Sequence, residues 1–186
     1  MTVLIERLGA NQARVLVPQL AALLQDVVNA GGTVGFMPPV SSDEASAYWL
    51  DVVRALEGSL RVLLVARDGP EIVGTAQLEL CGRSNGLHRA EVMKVMVHPS
   101  RQSQGIGAQL MRAVELEAAR EDRTTLVLDT REGEPSERLY FKVGFVKAGV
   151  IPNYARSADG SLHTTDRKST RLNSSHRNTS RMPSSA

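Results

Sequence analysis

The stretch "VMVHPSRQSQGIGAQLM", Val95–Met111, joins an apolar run to a helix-like run through two glycines, Gly105 and Gly107. Glycines often serve a tight turn from a strand into a helix and nothing else. A helix that begins beside small residues also presents unpaired backbone N–H groups and the positive end of its dipole to an anion. The stretch therefore predicts a strand, a turn and a helix, with N–H groups from Gln104 to Ala108 suited to a pyrophosphate.

Two other glycine patterns do not fit this loop. The segment 102–107 reads Q-x-x-G-x-G. A dinucleotide-binding loop requires a third glycine that is absent, and the phosphate loop G-x-x-x-x-G-K-[ST] requires a Lys-Ser/Thr end that is also absent. The loop is compatible with a pyrophosphate site that belongs to neither of these two classes.

The composition is that of one soluble domain. The chain has 186 residues, of which 42% are hydrophobic and 23% charged. No apolar run approaches the roughly 20 residues that span a bilayer, and the N-terminus lacks a signal-peptide pattern. We therefore expect a cytoplasmic protein with no membrane partner. The single cysteine, Cys81, excludes an internal disulfide and a cysteine-based zinc site, and no metal is expected.

The positive charge is concentrated at the C-terminal end. Five of the 22 basic residues but one of the 20 acidic residues lie in 166–186, which leaves 17 basic and 19 acidic residues in 1–165. The basic excess therefore does not indicate a nucleic-acid partner. Residues 166–186 are rich in Ser, Arg, Asn and Thr, a composition that predicts disorder.

The sequence "DRKSTRLNSSH", Asp166–His176, is what a common sequencing-library adapter encodes when translated in frame. We interpret 166–186, called here the adapter-like segment, as a read-through product. The domain is then predicted at 1–165, without its natural last strand and with an unpaired sheet edge.

Hydrophobic periodicity predicts alternating strands and helices. Asn11 is predicted to cap one helix that continues to Gly31, and Ser42 to cap a second that ends near Gly58. "RDGP", 67–70, is predicted to form a hairpin turn. The predicted strands lie within 2–8, 60–66, 71–80, 90–97, 124–130 and 146–152, and further helices follow Gly107 and Pro135.

The strand, the Q-x-x-G-x-G loop and the helix after it resemble the acetyl-coenzyme A signature of the GNAT superfamily of N-acetyltransferases. Two further blocks agree in order and spacing, "LVLDT" at 126–130 and "SERLYFKVGF" at 136–145. The resemblance covers residues 2–165. It implies an α/β (α+β) fold with a central, mostly antiparallel sheet that contains one parallel, splayed strand pair and is flanked by helices.

The resemblance implies transfer of acetyl from acetyl-coenzyme A, the co-substrate, to a primary amine. Strand backbone would pair with pantetheine and donate an N–H to the thioester oxygen, and the glycine loop would bind the pyrophosphate. The residues implied in acetyl-coenzyme A binding are Val95, Met96, Val97, Gln102, Ser103, Gln104, Gly105, Ile106, Gly107 and Ala108.

Three residues are candidates for the proton transfers. The resemblance implies that Glu91 and Asp129 act as general bases, directly or through water, and attract a cationic amine. A carboxylate with a pKa of about 4 is a poor base unless burial or a like charge raises that pKa. The structural alternative is that each acid caps a loop or pairs with Arg89 or Arg131. Tyr140 is the candidate acid for the leaving thiolate, and its alternative is a core tyrosine.

The acceptor pocket is predicted from residues around these acids, although aromatic side chains at helical spacing more often pack the core. His98 is interpreted as a solvated loop residue. The candidate acceptor-binding residues are Phe36, Asn85, His88, Asn153 and Tyr154.

Several stretches, among them "GGTVGFM" and "NGLHRAEVMKVMV", are similar to the acetyltransferases that confer resistance to tabtoxin. This implies a small-molecule amine as acceptor and, more sharply, detoxification of an amino-acid-like or β-lactam antimetabolite, a form of antibiotic resistance. Acetylation of protein N-termini or lysines is an alternative. A non-catalytic acyl-coenzyme A sensor is another, against which the acids and the tyrosine argue. The sequence is also compatible with a homodimer.

Overall fold

The computed structural model describes residues 3–172. In chain order the elements are β1 (Leu4–Leu8), α1 (Ala10–Val15), α2 (Val17–Asn29), α3 (Ser42–Glu57), β2 (Arg61–Asp68), β3 (Glu71–Leu80), β4 (Arg89–Val97), α4 (Ile106–Arg120), β5 (Thr125–Arg131), α5 (Ser136–Lys142), β6 (Val146–Arg156) and β7 (Leu162–Arg171). Short 3₁₀ turns occupy Ser84–Gly86 and Pro99–Arg101.

The strands form one seven-stranded sheet in the order β1-β2-β3-β4-β5-β7-β6. The pair β4–β5 is parallel and the other neighbours are antiparallel. Residues 67–70 join β2 and β3 as a hairpin, as predicted. The mixed sheet with one parallel pair and flanking helices confirms the predicted fold class.

Alternation along the strands divides the core between the two faces of the sheet. Leu63 and Val65 of β2 pack with α1, α2 and α3, on what we call the α2 face. Val62 and Leu64 pack with α4, Tyr140 and Phe145 on the α4 face. In β4 and β5, Ala90, Val92, Leu126 and Leu128 belong to the α4 face, so the residues between them point to the α2 face.

The parallel pair separates soon after it begins. Only Arg89–Glu91 of β4 pair with Thr125–Val127 of β5. Beyond Val127, β5 continues its pairing with β7, while β4 continues along β3. The edge of β4 that faces β5 therefore has no strand partner after Glu91 within the described chain.

Two predicted helix starts are wrong. Asn11 lies inside α1, whose N-cap is Gly9, because the Gly9 N–H donates to Oε1 of Gln12 at 3.0 Å. The expected single helix is broken at Leu16, next to Pro18 in the first turn of α2, since proline lacks the N–H that would continue the α1 ladder. The cap of α3 is Ser41 rather than Ser42, and its hydroxyl accepts the Glu44 N–H at 3.1 Å.

The predicted disorder from residue 166 onward is wrong for 166–171. These residues form the second half of β7, which pairs with β5 on one side and β6 on the other. Backbone pairing on both edges of β7 outweighs the polar composition, and the edge of β5 that faces away from β4 is paired along its whole length. The remainder of the adapter-like segment, 173–186, lies outside the described residues.

Candidate active site

The glycine loop connects the end of β4 to the start of α4. Gly105 is the N-cap of α4 with a left-handed φ of 80°, and a Cβ built there would meet nothing within 4 Å. A Cβ on Gly107 would instead lie 3.0 Å from Cδ2 of Leu139 on α5. Gly105 therefore serves backbone conformation beside open space, whereas Gly107 serves close helix packing. The first N–H groups of α4 have no carbonyl partner inside the helix.

Side-chain amides hold this loop in shape. Gln102 Nε2 donates to the Val97 carbonyl at 3.2 Å, and Gln104 Nε2 donates to the Ser100 carbonyl at 3.3 Å. Ser103 has a left-handed φ of 61°. Because both glutamines bind backbone carbonyls, the groups left for a ligand are backbone N–H groups, Ser103 and the helix end. Ile106 is buried in the core.

The end of β4 lies directly before this loop. Met96 is buried on the α2 face, opposite Thr75 of β3. Val95 and Val97 are half-buried beside the α4-face core. Since β5 has already diverged, the backbone of 95–97 faces the gap between the two strands with its polar groups available.

The two candidate bases lie close together on the α2 face. Glu91 is opposite Val127, and Asp129 is two residues further along β5, so all three point to the same side. Arg167 of β7 joins the acids. Its Nη1 lies 3.0 and 2.9 Å from the two Asp129 oxygens, and its Nη2 lies 3.6 Å from Glu91 Oε2. Neither acid pairs with Arg89 or Arg131, the partners that the structural alternative named.

Tyr154 belongs to the same cluster. Its hydroxyl donates to Asp129 Oδ2 at 3.2 Å, and the Asp129 charge, followed by burial, raises the pKa of the phenol. Asn153 has a left-handed φ of 54° where the β6 register is irregular, between Ile151 and Ala155. The structure thus brings Tyr154 to the acids.

Tyr140 lies on the other side of the sheet. It is buried on the α4 face, its ring contacts Phe145 edge-on at 6.1 Å between centroids, and burial raises its pKa to about 12. A phenol with that pKa gives a proton to a thiolate only at a cost, because the thiol pKa is about 8.5. Such a transfer has to accompany cleavage of the carbon–sulfur bond.

The remaining acceptor candidates are divided between two places. Phe36 lies in the loop between α2 and α3, half-buried against Tyr48. Asn85 and His88 are exposed before β4 begins. His88 precedes Val95 by seven residues of extended chain, or roughly 20 Å. Its carbonyl accepts the N–H groups of Thr124 and Thr125, so it links β4 to β5 at the end remote from the glycine loop.

Polar residues flank this part of the α2 face, and two of them, Lys94 and Gln77, were not predicted from the sequence. Lys94 of β4 approaches the rings of Phe36 and Tyr48, at 5.0 and 5.4 Å. The Tyr48 hydroxyl accepts from Nε2 of buried Gln77 at 3.0 Å, and burial raises the pKa of this phenol to about 12. The available signal was a lysine inside the apolar run "EVMKVMV".

Residues 3–172 lack the features of two other classes of site. No helix in that range is long and apolar enough to cross a membrane. No three His, Cys, Asp or Glu side chains of the same residues are grouped so that they could hold a metal ion.

Comparison with known sequences identifies the central part of the chain. Residues 59–147 match the family model of the acetyltransferase (GNAT) domain. Over 109 residues the chain is 35% identical to an uncharacterized N-acetyltransferase from the hisH-hisA intergenic region of Azospirillum brasilense. The match covers 58% of this chain and 63% of that protein, so the chain spans less than two thirds of this relative.

Solved structures share the fold over most of the chain. An N-acetyltransferase from Staphylococcus aureus Mu50 superposes with a TM-score of 0.76 and 18% identity, covering 93% of this chain and 100% of that one. The Salmonella typhimurium protein yncA, solved with its cofactor acetyl-coenzyme A, gives 0.74 and 19%, covering 93% and 95%. The Brucella melitensis ribosomal-protein-alanine N-acetyltransferase gives 0.74 and 22%, covering 91% and 99%. Residues 59–147 are therefore similar to the GNAT acetyltransferase domain, and the chain shares the fold of these solved acetyltransferases.

Proposed function

We propose that this protein transfers an acetyl group from acetyl-coenzyme A to a primary amine of a small molecule. The observation that carries the proposal is the gap between β4 and β5. One end of the gap is bounded by the glycine turn, and two carboxylates, Glu91 and Asp129, lie beside it on the α2 face. The matched GNAT domain includes the loop and both acids.

The loop fits the phosphate part of acetyl-coenzyme A. Gly105 leaves open space that a Cβ would fill, and the free N–H groups at the start of α4 favour an anion. The backbone of 95–97 is available for hydrogen bonds to an extended arm. Acetyl-coenzyme A would supply a thioester whose carbonyl oxygen becomes negative as the amine attacks. Val95, Met96 and Val97 would hold that oxygen and the arm through backbone groups.

The acids have two roles in this proposal. Their negative charge attracts a cationic amine to the α2 face. One carboxylate, directly or through water, then accepts the proton that the amine must lose before it becomes a nucleophile. Tyr140 would deliver a proton from the α4 face to the departing thiolate.

We further propose an amino-acid-like or β-lactam antimetabolite, such as tabtoxin, as the acceptor. The support is the similarity of stretches such as "GGTVGFM" to tabtoxin-resistance acetyltransferases, together with the position of the "GGTVGFM" loop. Its Phe36 lies near Lys94 and Tyr48, on the face that carries the acids. Phe36 and Tyr154 would then bound opposite sides of the acceptor.

Release of free thiol from acetyl-coenzyme A tests the proposal, measured with toxin amino acids, simple amines and peptides bearing free N-termini or lysines. We expect release with small amines and little with peptides. Preference for peptides would favour the protein-acetylating alternative. Measured acetyl-coenzyme A binding without release for any amine would support a sensor and overturn the proposal.

A further inference from the structure

Lys94 occupies an irregular position in β4. Thr75 pairs with Met96 and Gln77 with Met93, so two residues of β4, Lys94 and Val95, face one residue of β3. This is a β-bulge, and Lys94 has the left-handed φ of 51°. Its carbonyl accepts the Thr75 hydroxyl at 3.0 Å. The bulge directly precedes the backbone of 95–97.

The side chain of Lys94 reaches the loop between α2 and α3. Its Nζ donates to the Val34 carbonyl and lies 5.0 Å from the centroid of the Phe36 ring and 5.4 Å from that of Tyr48. The two rings contact edge to face at 5.2 Å. Between them in the chain, Gly35 has a φ of 83°, and a Cβ there would come within 2.9 Å of Nζ. The loop is therefore shaped around the ammonium.

An ion pair does not account for this lysine. Among residues 3–172, no carboxylate forms a salt bridge with Lys94, and the nearby acids Glu79, Glu91 and Asp129 pair with arginines instead. The charged group facing it is Arg61, and burial together with that like charge lowers the pKa of Lys94. One carbonyl and two aromatic faces hold the ammonium instead. Burial of a cation without an acidic partner costs free energy, so the carbonyl and ring contacts have to compensate for part of that cost.

We propose that Lys94 is a positioning residue for the acceptor: it fastens the 31–40 loop to the β4 bulge and so sets Phe36 as a wall of the acceptor pocket. The inference rests on the proposed function. Because the ammonium contacts the loop while the glycine turn lies beyond Val97, Lys94 acts on the amine and not on acetyl-coenzyme A.

The first test is Lys94→Met, which keeps most of the stem and removes the ammonium, with exposed Lys142→Met as the matched control. Loss of one charge-assisted hydrogen bond predicts a rise in KM for the amine of roughly tenfold, with kcat and the acetyl-coenzyme A Kd within about twofold. Amide hydrogen exchange of 33–40 should also accelerate in Lys94→Met alone.

A second pair of variants approaches the contact from the loop. Gly35→Ala pushes Nζ away, whereas Gly31→Ala, with a similar φ of 92° but nothing within 4 Å of its Cβ, controls for backbone strain. We expect the KM increase only in Gly35→Ala. Unchanged KM for the amine and unchanged loop exchange in both Lys94→Met and Gly35→Ala would overturn the inference.

The two proposals fail in different ways. If the unaltered protein releases no thiol with any amine, the proposed function is wrong and the acceptor role of Lys94 fails with it. Hydrogen exchange of the loop needs no activity and reports the Lys94 contact in either case. If the unaltered protein is active and Lys94→Met weakens acetyl-coenzyme A binding as much as amine binding, only the assignment of Lys94 is wrong.

Discussion

Arg167 donates to both carboxylate oxygens of Asp129, at 3.0 and 2.9 Å. Its other terminal nitrogen is 3.6 Å from Glu91. A guanidinium thus lies where the proposed function places the cation of the acceptor amine. An acceptor has to displace this cation or bind beside it.

Replacing Arg167 with Ala should therefore strengthen binding of a cationic amine. The Arg167 side chain is 37% exposed, so its ion pairs are worth little, about 0.2–1 kcal/mol each. The expected fall in KM is about two- to fivefold at low salt, and it should shrink as salt screens the acids. Arg171→Ala, exposed at the end of the same strand, is the control. A higher KM in Arg167→Ala would show that Arg167 helps to bind the acceptor.

Gly105→Ala should weaken acetyl-coenzyme A binding on the order of tenfold, because the new methyl group occupies the open space beside the α4 N-terminus. Gly160→Ala is matched, with a φ of 85° against 80° and no atom within 4 Å. Both variants should lose about 1–2 kcal/mol of stability from the left-handed backbone. Calorimetric titration with acetyl-coenzyme A separates the two effects, and equal affinity in both variants would contradict the assignment of the loop.

Tyr140→Phe should reduce kcat with little change in acetyl-coenzyme A affinity. The ring remains in its core contact with Phe145, so only the proton donor is removed. General acid catalysis contributes about 10²–10⁴-fold, and the effect here should lie near the lower end because the pKa of about 12 makes Tyr140 a weak acid. Steady-state rates of thiol release provide the measurement. Unchanged kcat would remove Tyr140 from the mechanism.

Two buried tyrosines, one of them Tyr140, should make the folded state less stable in alkaline solution. Burial raises the pKa of Tyr48 and of Tyr140 from 10 to about 12, so the folded state holds these protons more tightly than the unfolded state. Their contribution is complete below pH 10 and is lost as the pH rises toward 12. The free energy of unfolding in urea should fall over that range, and less steeply in Tyr140→Phe. Parallel curves for the two proteins would refute the burial effect.

The part of the adapter-like segment that lies in β7 contributes two buried charged residues. Asp166 and Lys168 are buried, at 1% and 0% exposure, in a strand with neighbours on both sides. Asp and Lys are almost never fully buried in proteins unless they are paired. The two charges belong to a wider network, because Lys147 lies 2.7 Å from Asp166 and Glu137 lies 2.9 Å from Lys168. Lys168→Ile leaves two acids without their buried cation and should lower the free energy of unfolding by about 3 kcal/mol, whereas Asp166→Val with Lys168→Ile removes both buried charges and should lower it less. A double variant that loses as much stability as Lys168→Ile alone would contradict this interpretation of the buried charges.

Much of the fold could be predicted from sequence because its signals are local. The apolar run "LRVLLVA" and the Asp-Gly turn that follows define β2 and its hairpin, and Gly105 marks the entry to α4. The Lys94 bulge could not be predicted, since a lysine with positive φ has no sequence signature and depends on Thr75 and the α2–α3 loop. Pairing of 166–171 was missed because backbone hydrogen bonding does not depend on apolar composition.

The site could be predicted in part for a similar reason. Glu91 and Asp129 lie on adjacent strands, and the alternation of side chains along each strand places both on the same face of the sheet. That alternation can be read from the sequence. Asn85 and His88 are close to Glu91 in the chain, but they precede β4, and the end of a parallel strand where ligands bind is its C-terminal end. Arg167 and Lys94 are contributed by long-range packing that no short motif records.

The separation of β4 from β5 has a kinetic consequence for the proposed reaction. In that reaction the acids would act from one side of the sheet and Tyr140 from the other, so the amine would reach the thioester carbonyl from one face and the thiol would leave from the other. Neither product would then block the exit of its counterpart, and both substrates would be bound before transfer. Initial-rate plots against either substrate should intersect, and coenzyme A should not compete with the amine.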